Sequence, residues 1–185
     1  MKITKEKAAE NRQVLVETAA RLFREKGIDG VGVAEISKAA GLTHGALYAH
    51  FPSKDALAAE AMQFSTRSAY GKVTEHPVTL PQLVDYYLAP EQRDNLAEGC
   101  PLAAAASEVA RQDASVAAGY TSGFRQMVEY IRTQLPAGEG QREQAIAIMA
   151  ALVGGISVSR NVYKTDPTLA DEVLESVRSM LLKLS

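Results

Sequence analysis

Thr43, His44, Gly45, Tyr48, His50 and Lys54 fall in one short window, and their types suit contact with a nucleic acid better than bond-making chemistry. The window closes the run VAEISKAAGLTHGALYAHFPSK, from Val33 to Lys54. Val33, Ile36 and Ala40 recur at three- and four-residue spacing and so share one face of a short helix. Gly41 supplies a helix-ending turn, and Thr43 a hydroxyl able to cap a new helix. That second helix turns Leu47 and Phe51 inward. Two short helices across a glycine turn are the helix-turn-helix pattern, whose second helix enters the DNA major groove. An ordinary helical hairpin would bury the same two side chains, so topology alone does not separate the readings. The outward face, Thr43, His44, Gly45, Tyr48 and Ala49, is polar and small. Gly45, lacking a side chain, lets backbone and groove come close. Pro52 stops the helix, Ser53 can cap the next, and Lys54 lies in its first turn, where the dipole prefers acids. A lysine there breaks a local rule and suits a phosphate held at a helix N-terminus.

Other chemistry is sparse. Cys100 is the single cysteine, so no intrachain disulfide forms. Pro101 suits the first position of a helix, which makes Cys100 its N-cap, where amides and dipole favour a thiolate. A buried, inert thiol is the competing reading. His44, His50 and His76 show no metal-ligand spacing with Cys100 or with a carboxylate pair. Gly-rich phosphate loops and nucleophile elbows are lacking too. The expectation is a protein that is not an enzyme and uses no cofactor or metal.

The elements that position the window follow from composition and periodicity. A chain of 185 residues, 46% hydrophobic and 23% charged, has a soluble globular balance. Counting unbroken apolar runs finds none near the ~20 residues of a membrane span. The charged N-terminus lacks the apolar core of a signal peptide, so a cytoplasmic location and no membrane partner are expected. Net charge is −2, unevenly placed: residues 1–54 hold nine Lys/Arg against six Asp/Glu, and the remainder 11 against 16. A basic head on an acidic body suits contact with DNA through one end.

Helices are expected throughout. The first runs from Lys5 to Lys26, ended by Gly27 with Ile28 packing back; Lys2, Lys5 and Lys7 could form a basic arm, or a solvated tail. A second starts near Gly32. A longer one runs from Ser53 to about Val73 and connects a head, residues 1–54, to a body, residues 55–185. In the body, Leu83 to Leu88 is amphipathic, Glu91 to Gly99 reads as a loop or a frayed turn, and Pro101 to Gln112 is alanine-rich and helix-prone. Helices over Ser115–Leu135, Gln141–Tyr163 and Asp166–Leu182 complete the chain. The fold class is all-α: a three-helix head and a larger helical body for effector binding and dimerisation.

The run GLTHGALYAHFPSKDAL resembles the signature of the tetracycline-repressor (TetR) family of bacterial transcription regulators, the resemblance extending from about Val14 to about Leu57. Glycine turn, capping hydroxyl, Gly-x-Leu-Tyr, His-Phe and Ser-Lys stand in register. The resemblance implies a homodimer that binds a palindromic operator in double-stranded DNA, usually represses transcription, and is released by a small-molecule effector. Thr43, Tyr48, His50 and Lys54 would then contact phosphates, and His44 and Gly45, with Tyr48, base edges. Gly32, Val33 and Ala34 depart from the Thr and polar residues common at the start of the family's second helix, which shifts the burden onto the third. The last two helices form the expected dimer surface, with Ile146, Met149, Val153 and Ile156 on one stripe, Leu169, Val173, Val177, Met180 and Leu181 on the other, and Ala150, Gly154, Gly155 and Ser157 allowing close approach. Tyr86, Tyr87, Cys100, Phe124, Met127, Ile131, Ile148 and Leu152 would line a cavity for an apolar or aromatic effector, although such stripes also form plain core. The resemblance leaves one alternative, a repressor that senses electrophiles or oxidants through Cys100.

Overall fold

The structure, a computed structural model, describes residues 4–184, which hold ten α-helices, one 3-10 turn and no strand. Three helices build the head: α1 (Lys5–Lys26), α2 (Val33–Ala39) and α3 (His44–Tyr48). Thr4 caps α1 by accepting from the Lys7 amide, and Gly27 ends it at φ 81°, ψ 158°, a conformation open to glycine and strained for other residues. Leu15, Ala19, Leu22, Phe23, Ile28, Val31 and Ile36 are buried between these helices. Lys5 and Lys7 lie in α1 rather than in a loose arm, while Lys2 lies outside the described residues.

The connecting helix α4 (Lys54–Glu75) belongs to both halves. Leu57, Ala58, Ala61 and Met62 share the head's apolar core with Ala105 and Val116 of the body. Further along, α4 packs on α8 (Ala114–Gln134), where Gly119 and Gly123 bring the two backbones close. The body adds α5 (Leu80–Tyr87), α6 (Pro90–Asp94), α7 (Pro101–Ala105), a 3-10 turn at Val109–Arg111, α9 (Gln141–Tyr163) and α10 (Pro167–Leu182). Its core is Leu83, Val84, Leu102, Val128, Ile131, Ile148, Met149, Leu152 and Ile156.

Three expectations about these elements need correction. The alanine-rich stretch is not one helix to Gln112: α7 ends at Ala105, and the chain turns so that the Glu108 carboxylate meets the Ile28 amide at 3.0 Å. Tertiary contact there overrides intrinsic propensity. Glu91–Gly99 is not wholly a loop, because Pro90 opens α6 at the position proline favours. That helix buries Arg93, which pairs with Asp94 at 2.7 Å and Asp171 at 2.5 Å and lies 3.9 Å from the centre of the Tyr163 ring.

The third correction concerns α9, whose 23 residues include a window of mean hydropathy 1.6, long and apolar enough by composition to cross a membrane. Its unbroken apolar run, Ala145–Val153, is only nine residues long, and the average stays high because Ile156, Val158 and Val162 follow it. Its inner face is core: Ala145, Ile148, Met149, Leu152, Gly155 and Ile156 are buried within this chain.

Candidate nucleic-acid interface

Helix α3 is held from inside and left bare outside. Gly41, at φ 68°, turns the chain out of α2, and the Leu42 amide donates to the Ser37 carbonyl at 2.9 Å. Thr43 then caps α3, its hydroxyl oxygen accepting from the Ala46 amide at 3.3 Å. Leu47 and Phe51 anchor the helix at 0% and 1% exposure. On the opposite side Thr43, His44, Gly45, Tyr48 and Ala49 are exposed, with Tyr48 at 48%. The His44 and Tyr48 rings meet edge-on, their centres 5.2 Å apart. One turn of helix therefore presents a preformed pair of polar rings.

His50 and Lys54, both half-buried, flank this face at the joint between α3 and α4. Ser53 caps α4 by accepting from the Ala56 amide at 3.1 Å, which sets Lys54 as the first residue of the helix. Arg12 of α1 lies 4.7 Å from the centre of the Phe51 ring and pairs with Glu60, fixing α1 against the α3–α4 joint.

A second feature lies where α1 and α4 meet the body. It is a cavity of about 440 Å³, within the ~300–1,000 Å³ usual for small-molecule sites. Tyr86, Tyr87, Cys100 and Met127 line it as expected from the sequence. Ile131, Ile148 and Leu152 do not: each is fully buried in the body core, on helix positions that periodicity cannot tell from a cavity wall. Phe124 is half-buried against that core and also lies outside the lining. The sequence reading missed the contribution of the head and of α4, namely Glu17, Thr18, Arg21, Arg24, Phe64, Ser65, Ser68, Lys72 and Val73. The one available signal was Thr18, Arg21 and Arg24 recurring at helical spacing beside the apolar stripe of α1.

Cys100 is the N-cap of α7, as its position before Pro101 implies, but its thiol is not activated. Burial pushes its pKa up, and outweighs the Tyr87 hydroxyl, the Ala103 and Leu102 amides and the Arg160 charge, which pull it down. The Tyr87 hydroxyl donates to Cys100 Sγ at 2.7 Å, and burial raises the Tyr87 pKa as well.

The expected dimer stripe also needs correction. Met149, Val153, Ile156 and Leu181 are buried inside this chain and cannot face a partner, because one face of α9 and α10 closes the monomer core. Val177 is half-buried and would lie 3.5 Å from a Cβ on Gly155. Val173 is half-buried and Met180 is 62% exposed. The outward face of the pair carries Ile146, Ala147, Ala150, Gly154 and Val158 on α9 and Leu169 and Met180 on α10.

Fold and site together define a helix-turn-helix head on a helical body that holds a cavity. Residues 15–61 match the family model of bacterial regulatory proteins, tetR family. This segment is similar to the HTH-type transcriptional regulator AcrR of Shigella flexneri, 44% identical over 62 residues, which make up 34% of this chain and 29% of that protein. It is also similar to the HTH-type transcriptional repressor KstR2 of Rhodococcus jostii, 38% identical over 64 residues, 35% of this chain and 31% of that one. The match thus spans under a third of the length of these curated relatives. Over nearly the whole chain, the fold matches reduced NemR of E. coli with a TM-score of 0.78 at 18% identity, covering 95% and 96% of the two chains. It matches a TetR-family regulator of Agrobacterium tumefaciens with a TM-score of 0.76 at 19% identity, covering 96% and 99%. The head thus matches the tetR family of bacterial regulatory proteins over residues 15–61, and the whole chain shares the fold of solved TetR-family regulators.

Proposed function

We propose that the protein is a transcription regulator, of the repressing kind, that binds a palindromic operator as a homodimer and releases it when a small molecule enters the cavity. The observation that carries this reading is the asymmetry of α3, whose inner side chains are fully buried while His44, Gly45 and Tyr48 stand exposed. A Cβ on Gly45 would meet nothing within 4 Å, so no contact inside the chain requires glycine there. Close approach of a groove supplies the reason. In this reading His44, Gly45 and Tyr48 meet base edges, and Thr43, His50 and Lys54, with the Tyr48 hydroxyl, hold phosphates.

Two heads are needed because two-fold operators present half-sites ~34–36 Å apart. The exposed apolar face of α9 and α10 offers a self-complementary surface, centred on Gly154, where a Cβ would likewise meet nothing. Of the stripe read from the sequence, Ile146, Leu169 and Met180 lie on this face, and Val158 joins them. The residue-54 boundary divides the chain by role, with α4 carrying motion between the halves. An effector between α1, α4 and the body would favour the arrangement in which the heads no longer match the groove spacing.

The test is binding of the purified chain to duplexes selected from a random pool, followed by fluorescence anisotropy at ~150 mM salt, where non-specific affinity is weak. Enrichment of an inverted repeat supports the reading, and uniform weak binding contradicts it. A thiol switch at Cys100 is the second reading, favoured by the sulfur's place on the cavity wall. Loss of effector response in Cys100→Ser with operator binding intact would establish it.

A further inference from the structure

The cavity is charged at one end and apolar at the other. Leu83, Leu102 and Met149 are almost wholly buried, and with Met127 they form its inner wall. Arg21, Arg24 and Lys72 stand on the side made by α1 and α4, against Glu17 and Glu98. Both acids are engaged: Glu17 accepts from the Gln13 amide group at 2.8 Å, and Glu98, 57% exposed, forms a long ion pair with Arg24 at 3.8 Å.

Arg24 is the unusual member. Its side chain is 14% exposed, and it donates through Nε to the Ala97 carbonyl at 2.6 Å and through Nη1 to the Ser65 hydroxyl at 2.8 Å. Both acceptors are neutral, so the desolvated guanidinium is balanced by one long ion pair, to the largely exposed Glu98. Burial accordingly lowers its pKa more than Glu98 restores it. Lys72 shows no ion pair among the described residues. A fourth cation, Arg160, lies behind the wall, where its Nη2 would be 2.7 Å from a Cβ on Gly99 and its buried Nη1 lacks a partner.

We propose that the cavity takes an amphipathic organic anion, its charged end at Arg24 with Lys72 as the second cation of the mouth, and its apolar chain against Leu83, Leu102, Met127 and Met149. This rests on the reading of the cavity as the effector site and names the class of effector. An anion at Arg24 touches the head directly, since Arg24 belongs to α1. It competes with the Ala97 and Ser65 contacts that tie α1 to the body and to α4.

The experiment is calorimetric titration of the full chain at pH 7 with decanoate, 1-decanol and decylamine, which share one apolar skeleton. Decanoate is expected to bind about ten-fold or more tightly than decanol, the usual worth of a hydrogen bond to a charged group. Lys72→Gln, at an exposed position, keeps the fold and weakens decanoate while leaving decanol unchanged. Arg24→Met abolishes the difference between the two. Equal binding of decanoate and decanol, or preference for decylamine, overturns the anionic class and leaves the cavity a ligand site. Binding of none of the three overturns both the class and the effector role of the cavity. Operator binding is measured separately, so failure of the DNA reading is not mistaken for either.

Discussion

Glu108 of the body accepts a hydrogen bond from the backbone amide of Ile28 in the head at 3.0 Å, joining positions 80 residues apart. The same carboxylate fills the space beside Gly27, where a Cβ would lie 2.3 Å from its Oε1. Glu108 follows α7, and the first residues of α7 line the cavity, so one short segment touches both ligand space and head. Glu108→Ala is expected to lower stability by about 1 kcal/mol, the net worth of one hydrogen bond. Gly27→Ala costs about 1–3 kcal/mol because its backbone conformation suits glycine alone. Urea unfolding of the two variants checks both values, and unchanged midpoints would show that the latch carries no load.

Gly123 governs how closely α8 approaches α4. A Cβ there would lie 2.5 Å from Thr66, whose hydroxyl donates to the Met62 carbonyl at 3.0 Å and holds the side chain in place. Gly123→Ala must therefore push α4 outward, at about 1–3 kcal/mol for an overpacked contact. Thermal unfolding reads the loss, and Thr66→Ala in the same chain should restore little of it, because the Cβ at position 66 itself lies 2.5 Å from the added one.

The two kinds of DNA contact proposed for α3 and Lys54 separate by mutation. His44→Ala should change preference at one base position, at about 1–3 kcal/mol, while Lys54→Ala weakens binding to all sequences alike and lowers the salt slope by about 1. Anisotropy titrations over a salt series, on the selected operator and single-base variants of it, distinguish them. Identical behaviour of the two variants would refute the assignment of roles.

Burial raises the Cys100 pKa, so the folded state favours the neutral thiol. Its contribution to stability is complete below the ordinary thiol value of ~8.5 and is lost as pH rises through the higher folded value. Tyr87, raised in the same way, adds to the loss at higher pH. Iodoacetamide should therefore modify native Cys100 slowly at pH 8 and rapidly once urea unfolds the chain. Fast alkylation of the native protein at pH 7 would contradict the burial and favour the thiol-switch reading.

What the sequence reveals here is what neighbours along the chain decide. Gly27, Gly41, Thr43 and Ser53 terminate or cap helices through contacts within a few residues, and each stands where its chemistry places it. The head was legible for that reason. The cavity was less so, because Met127 and Ile131 lie four residues apart on α8 and only the packing of α4, α5 and α9 decides which of them meets empty space. Ile148 and Met149 fared likewise on α9. Arg24 went unread because its partners Ser65 and Ala97 are distant in sequence. The end of α7 at Ala105 is invisible to propensity, since the group that turns the chain is an amide of the head.

The pairing of two heads is reached most directly by sedimentation velocity on the chain alone and on the chain mixed with a fluorescent duplex of the selected operator. The account predicts a dimer before DNA is added, one dimer per duplex afterwards, and conversion to a monomer that no longer binds when Val158 on the outward face of α9 is changed to Glu. A wild-type monomer that binds a single half-site as tightly as the full operator would contradict it.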